Sequence, residues 1–189
     1  MSAQAKHTVT GGEVTSPPTV EVWDVFVRLF HWSLVATFAI AFVSADEWEK
    51  LHNWAGYAAL GLVSTRLVWG LIGTRHARFS SFVRAPAATL AYLRDMMRGS
   101  EKRYLGHNPA GALMILALLA GIAGLGLTGW MMTLDAYWQD EWLEEVHEAL
   151  ANGMLVLIAL HIAGVVIASI RHGENLMRAM ITGHKAVDR

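Results

Sequence analysis

No cysteine occurs anywhere in the chain. That excludes disulfides, thiolate-held iron–sulfur clusters and the Cys-x-x-Cys-His attachment of a c-type haem, so any metal must be held by other side chains. Charge is scarce as well: 16% of residues are charged against 54% hydrophobic, with a formal net charge of −1. So apolar a balance does not suit a soluble domain, and without a basic excess nothing points to a nucleic-acid partner. Proline is limited to four residues, which leaves long runs of chain uninterrupted. The first stretch, MSAQAKHTVTGGEVTSPPTV, lacks the apolar region and cleavage pattern of a secretory signal. Residues 1–20, with His7 among them, read as a flexible tail, and residues 21–189 as one membrane domain.

Apolar runs and imidazoles are what the chain has in quantity. Four runs, at about 25–45, 52–73, 110–134 and 146–170, are each about twenty residues or longer, the length a helix needs to cross a bilayer. The fold class is therefore an all-α membrane protein, a four-transmembrane-helix bundle. Between the second and third runs, Thr74 to Pro109 is rich in Lys and Arg. Within it, Pro86–Arg98 reads either as a short helix lying on the membrane surface, with Leu90, Leu93 and Met97 on one side, or as a solvated loop.

Sidedness follows from the basic residues. Of fifteen Lys and Arg, Lys50 alone falls in the two short acidic loops, at 46–51 and 135–145. The others gather at the tails, the long loop and the helix ends beside them. By the positive-inside tendency both termini face the cytoplasm.

Two spans carry glycines that matter. Gly124, Gly126 and Gly129 spell G-x-G-x-x-G, but a dinucleotide site needs a preceding strand and a solvent-reachable helix start, and these lie inside a membrane run. They make room either for a bulky cofactor or for a neighbouring helix; Gly56 and Gly61 have the same two readings.

An ionisable residue inside a span asks for a function. His147 and His161 are fourteen residues apart on the fourth run, which places them on nearly the same face and roughly 21 Å apart along the axis at 1.5 Å per residue. His147-Glu148 does not begin a zinc helix, because the position four after His147 is Ala151. His52 opens the second run from the same side as His147. His31 lies as deep from that side as His161 does. The four therefore sort by depth into an outer pair, His52 with His147, and an inner pair, His31 with His161. Each pair could clamp one iron from opposite faces of a porphyrin, with both axial positions filled and one-electron transfer favoured over oxygen chemistry. Arg28, one turn before His31, and Arg66, near the end of the second run and able to snorkel to the surface, are candidate propionate partners. Taken alone, His31 also reads as an interfacial residue beside Trp32. His7, His76, His107, His172 and His184 fall in loops or tails and read as solvated.

VWDVFVRLFHW at 22–32, LHNWAGYAALGLVSTRLVWGLIG at 51–73, RYLGHNPAGALM at 103–114, and VHEALANGMLVLIALHIAG at 146–164 followed by ENLMRAM at 174–180 together resemble the bacterial cytochrome b561 proteins and the b-type cytochrome subunits of nickel–iron hydrogenases. The likeness covers nearly everything after residue 20. It implies a bundle holding two haem b groups, each ligated by two histidines, with His31, His52, His147 and His161 at the ligand positions. It also implies the bacterial inner membrane, and electron transfer between a quinone, ubiquinone or menaquinone, and a periplasmic redox protein such as a cytochrome c. A superoxide:quinone oxidoreductase and a hydrogenase subunit are the alternatives, and a homodimer is an allowed assembly. A histidine-based transporter is a further class, but the spans lack paired carboxylates and broken helices.

Overall fold

The computed structural model describes residues 18–187; His7 and the rest of residues 1–17 lie outside the described residues. In chain order the elements are β1 (Thr19–Glu21), α1 (Val25–Ser44), α2 (Glu49–Ile72), α3 (Phe79–Phe82), α4 (Pro86–Met97), α5 (Pro109–Met132), α6 (Glu141–His172), α7 (Leu176–Thr182) and β2 (His184–Ala186). A single 3-10 turn, Asp135–Tyr137, sits between α5 and α6. The helices α1, α2, α5 and α6 are long and apolar enough to cross a membrane.

Local chemistry sets the helix ends. The Asp24 carboxylate accepts the Val27 N–H at 2.8 Å, and the Asn108 side chain accepts the Gly111 N–H at 2.7 Å with Pro109 in the first helical position. Helix α6 has Glu141 and Glu144 in its first turn and Arg171 and His172 in its last, each sign matched to the helix dipole. It stops at Gly173, whose φ of 60° is the left-handed conformation that glycine adopts freely. These signals extend α6 beyond the expected span at both ends. Similarly, α2 starts at Glu49, so His52 lies in its first turn rather than at its opening.

Packing runs α1 on α2, α2 on α5 and α5 on α6, whereas α6 has no extended contact with α1 or α2. The core joins Ala59 and Val63 of α2, Leu119 and Ile122 of α5 and Met154 of α6, with Phe30, Leu34 and Phe38 of α1 against it. Glycines let α5 come close. A Cβ at Gly126 would stand 2.9 Å from Leu60, and one at Gly124 would stand 3.3 Å from Leu150. For those two positions the room goes to neighbouring helices. Outward-facing residues such as Val43, Leu71, Ile72 and Ile170 stay exposed, as suits helices surrounded by lipid.

One end of the bundle is closed by a cap made from distant parts of the chain. β1 pairs antiparallel with β2, Val20 opposite Lys185, so both terminal segments lie at this end. The pairing begins inside the stretch expected to be a tail. Beneath it Val22, Trp23, Val27, Ala77 and Ala179 form a second apolar cluster. Glu174 accepts hydrogen bonds from Arg103 and from Lys185 Nζ, the latter at 2.9 Å. Burial pushes the Glu174 carboxyl up, but those two cations outweigh it and hold the carboxyl below its usual range. Helix α4 forms as expected within the basic connection, and Tyr92 is its buried anchor.

Candidate functional site

Helix α6 presents His147 and His161 towards the two helices from which it stands apart. His147 meets His52 of α2 with ring centres 6.1 Å apart, and His161 meets His31 of α1 with ring centres 6.5 Å apart. The depth pairing expected from helical rise is what the structure brings together. The second pair lies towards the capped end and the first towards the far end.

Both outer rings are held by their Nδ1 atoms. His52 Nδ1 is 2.8 Å from the Ala41 carbonyl oxygen, which only accepts, so the ring donates there. His147 Nδ1 is 2.8 Å from Thr128 Oγ1. That hydroxyl also lies 2.9 Å from the Gly124 carbonyl, which can take its proton, so Thr128 can accept the Nδ1–H that His147 would carry with a metal on Nε2. In that tautomer Nε2 of each ring is the nitrogen that would bind a metal. Gly129 serves this ring too, since a Cβ there would stand 3.3 Å from His147 Cε1. The inner pair differs, because His31 Nδ1 is buried with no hydrogen-bond partner.

Residues 22–183 match the family model for prokaryotic cytochrome b561. The chain belongs to that family. A relative in Azotobacter vinelandii, "Probable Ni/Fe-hydrogenase B-type cytochrome subunit", is 24% identical over 165 residues, covering 71% of this chain and 68% of its own. One of the same name in Bradyrhizobium diazoefficiens is 21% identical over 223 aligned positions, covering 93% of this chain and 90% of its own. No solved structure matches the chain.

As a b-type cytochrome of the b561 family, this multi-pass membrane protein is expected to bind haem b, and its residues fit that group. A metal–imidazole bond is about 2.0–2.1 Å, and the ring centre lies about 1 Å further on, so two imidazoles flanking one metal have centres about 6 Å apart. The observed separations agree. Among the described residues no three His, Cys, Asp or Glu side chains converge. Donors that meet only in pairs suit a metal that brings its own equatorial ligands. Helix α6 meets α1 and α2 without extended contact.

The arginines stand at the capped end. Arg66 is 3% exposed, buried rather than snorkelling outward, because the chain after α2 folds back over it. Its Nη2 donates to the Ala77 carbonyl at 3.0 Å, the Phe79 ring lies 5.0 Å from its guanidinium carbon, and Nη1 has no partner. Asp24, which feels the Arg66 charge, accepts from Thr74 Oγ1 at 2.5 Å and Trp69 Nε1 at 3.1 Å. Burial raises the Asp24 carboxyl, and those hydrogen bonds more than reverse it. Arg28 Nη1 donates to the Ile181 carbonyl at 2.7 Å, and its buried Nε is unpartnered.

Two enclosed polar residues escaped the sequence reading. Thr128 had a signal: it is the one hydroxyl residue in the apolar run from Pro109 to Met132. His107 had none, and its ring is enclosed rather than solvated as its place in a loop suggested. Its ring packs on Trp23 at 4.4 Å and Phe82 at 4.8 Å, and its Nδ1 is sealed without a partner. Burial foremost, then the charges of Arg66 and Lys185, pushes its imidazole down to about 3. His184 is exposed as expected, while His76 and His172 are half-buried.

Proposed function

We propose that the chain is a dihaem cytochrome of the bacterial inner membrane that passes electrons between the quinone pool and a redox protein on the periplasmic face, with both termini cytoplasmic. The observation that carries this reading is the pair of histidine couples, 6.1 and 6.5 Å between ring centres, at opposite ends of one bundle. His52 and His147 would hold the outer haem, and His31 and His161 the inner one. Haem bound by two histidines supplies one-electron chemistry with no open coordination position. The chain's own residues do the rest. The Ala41 carbonyl and Thr128 orient the outer imidazoles, and the apolar helix walls exclude water. Arg66 Nη1 and Arg28 Nε, buried and unpartnered at the capped end, are the donors that would take up the inner haem's carboxylates. The charge distribution supports the orientation, since the capped end gathers nearly all the basic residues.

The identity of the redox partner has a second reading. The relatives' names support a hydrogenase, with this chain as its membrane cytochrome. Hydrogen-dependent haem reduction in membranes separates that from a soluble carrier. An anionic donor such as superoxide is not favoured, because the far-end loops offer it Lys50 amid acids. The principal test is a reduced-minus-oxidised spectrum with a pyridine haemochrome count. Two haem b per chain are expected, with one lost in His161→Ala. No b-type bands, or loss of both haems in that variant, refutes the pairing.

A further inference from the structure

The two histidine pairs are not equivalent, and the difference lies in what stands behind the rings. In the outer pair each Nδ1 has an oxygen partner, the Ala41 carbonyl and Thr128 Oγ1, both at 2.8 Å. In the inner pair His31 Nδ1 is buried and donates to nothing. Ala41 contributes a backbone oxygen that no substitution removes. Thr128 contributes a side chain.

We infer that Thr128 is a positioning residue that acts through His147 to set the reduction potential of the outer haem. The inference rests on the dihaem reading. Thr128 is 9% exposed and carries the hydroxyl that faces His147 from α5. With a metal on Nε2, His147 Nδ1 would carry the proton, and the Thr128 oxygen would accept it while giving its own to the Gly124 carbonyl at 2.9 Å, one turn back on α5. Gly129, next in the chain, leaves the imidazole room to lie against α5.

A metal-bound imidazole that donates its other N–H becomes a more basic ligand. A more basic ligand favours the more positive, oxidised iron and so lowers the potential. Removing the acceptor therefore raises the potential of the outer haem and leaves the inner haem, held by His31 and His161, where it was. The Thr128 hydroxyl hydrogen-bonds to His147 and to none of the other three histidines, so the shift is confined to one of two haems. A general loosening of the bundle would move both.

The test is a redox titration of purified Thr128→Val, which keeps the shape and removes the oxygen, beside Thr128→Ser, which keeps the oxygen. In the valine form one haem is expected to shift upward, the oxidised-to-reduced ratio at fixed ambient potential changing by up to about tenfold, or about 59 mV for one electron. The serine form is expected to titrate like the unsubstituted protein. Repeating the valine substitution in His161→Ala, where the outer haem stands alone, is expected to show the same shift. A change of less than about twofold, a downward shift, or an equal shift of both haems overturns the inference. If the valine form does not retain the outer haem, Thr128→Ala is titrated in its place. Loss in both with retention in serine supports the positioning role, and loss in serine as well overturns it. The haemochrome count of the unsubstituted protein keeps the two ideas apart. Two haems with no shift refute only the role of Thr128, whereas no haem refutes the reading beneath it.

Discussion

Replacing Arg66 with Met separates a structural arginine from one that waits for an anion. The side chain is 3% exposed and makes one hydrogen bond, to the Ala77 carbonyl at 3.0 Å, while its Nη1 is buried without a partner. Losing that bond and the contact with the Phe79 ring costs about 1–3 kcal/mol together. Removing a cation that is buried and incompletely paired returns a comparable amount, so the fold of Arg66→Met without haem should change by no more than about 1–2 kcal/mol. Haem retention should respond differently. A hydrogen bond to a charged group contributes about 1.5–3 kcal/mol, so losing it weakens binding of one haem by roughly ten- to 150-fold. The assay is the rate of haem transfer from detergent-purified protein to an excess of a soluble haem acceptor. One of the two haems should leave faster, namely the one absent from His161→Ala, and the other should keep its rate. Unchanged rates for both haems, or equal acceleration of both, would refute the assignment of Arg66 to the inner carboxylates.

Other outcomes follow from the packing and the cap. Gly126→Ala places a methyl group 2.9 Å from Leu60 Cδ1 and 3.0 Å from its Cβ, so it should lower stability by about 1–3 kcal/mol. Leu60→Ala should relieve part of that cost, which a double-mutant cycle by thermal unfolding in detergent reads directly. His107 is held neutral with its imidazole at about 3, well below the usual 6.5. The unfolded chain therefore binds the extra proton first. Its contribution is complete above pH 6.5 and is lost as pH falls towards 3, with a slope of up to about 1.4 kcal/mol per pH unit. Thermal unfolding across that window should show the slope in the unsubstituted protein and a flatter profile in His107→Gln; identical profiles would refute it.

Helix positions could be read from the chain because a bilayer demands a minimum apolar length and every backbone group within it must be satisfied by the helix itself. The first run was expected at 25–45 and is helical over Val25–Ser44; the third, expected at 110–134, is Pro109–Met132. The ends of α6 were harder, because its acidic first turn and basic last turn are stabilised by the helix dipole rather than by apolarity. Histidine depth was legible for a simple reason: helical rise is constant, so counting residues measures distance along the membrane normal. Arg66 shows the limit of such reasoning. Its place near a helix end suggested a side chain reaching outward, and only the fold-back of Ala77 and Phe79 makes it buried.

The sequence by itself therefore determined the spans, their order and the matching of His52 with His147 and His31 with His161, all of which depend on regular local geometry. Tertiary structure alone decided what surrounds those rings. The Thr128 oxygen behind His147 depends on how α5 is rotated against α6, and no periodicity within either helix reports that rotation. The enclosure of His107 between Trp23 and Phe82, and the pairing of Thr19–Glu21 with His184–Ala186, join segments from opposite parts of the chain. Such contacts carry no local signature, because they form only after the helices have brought distant residues to one end of the bundle.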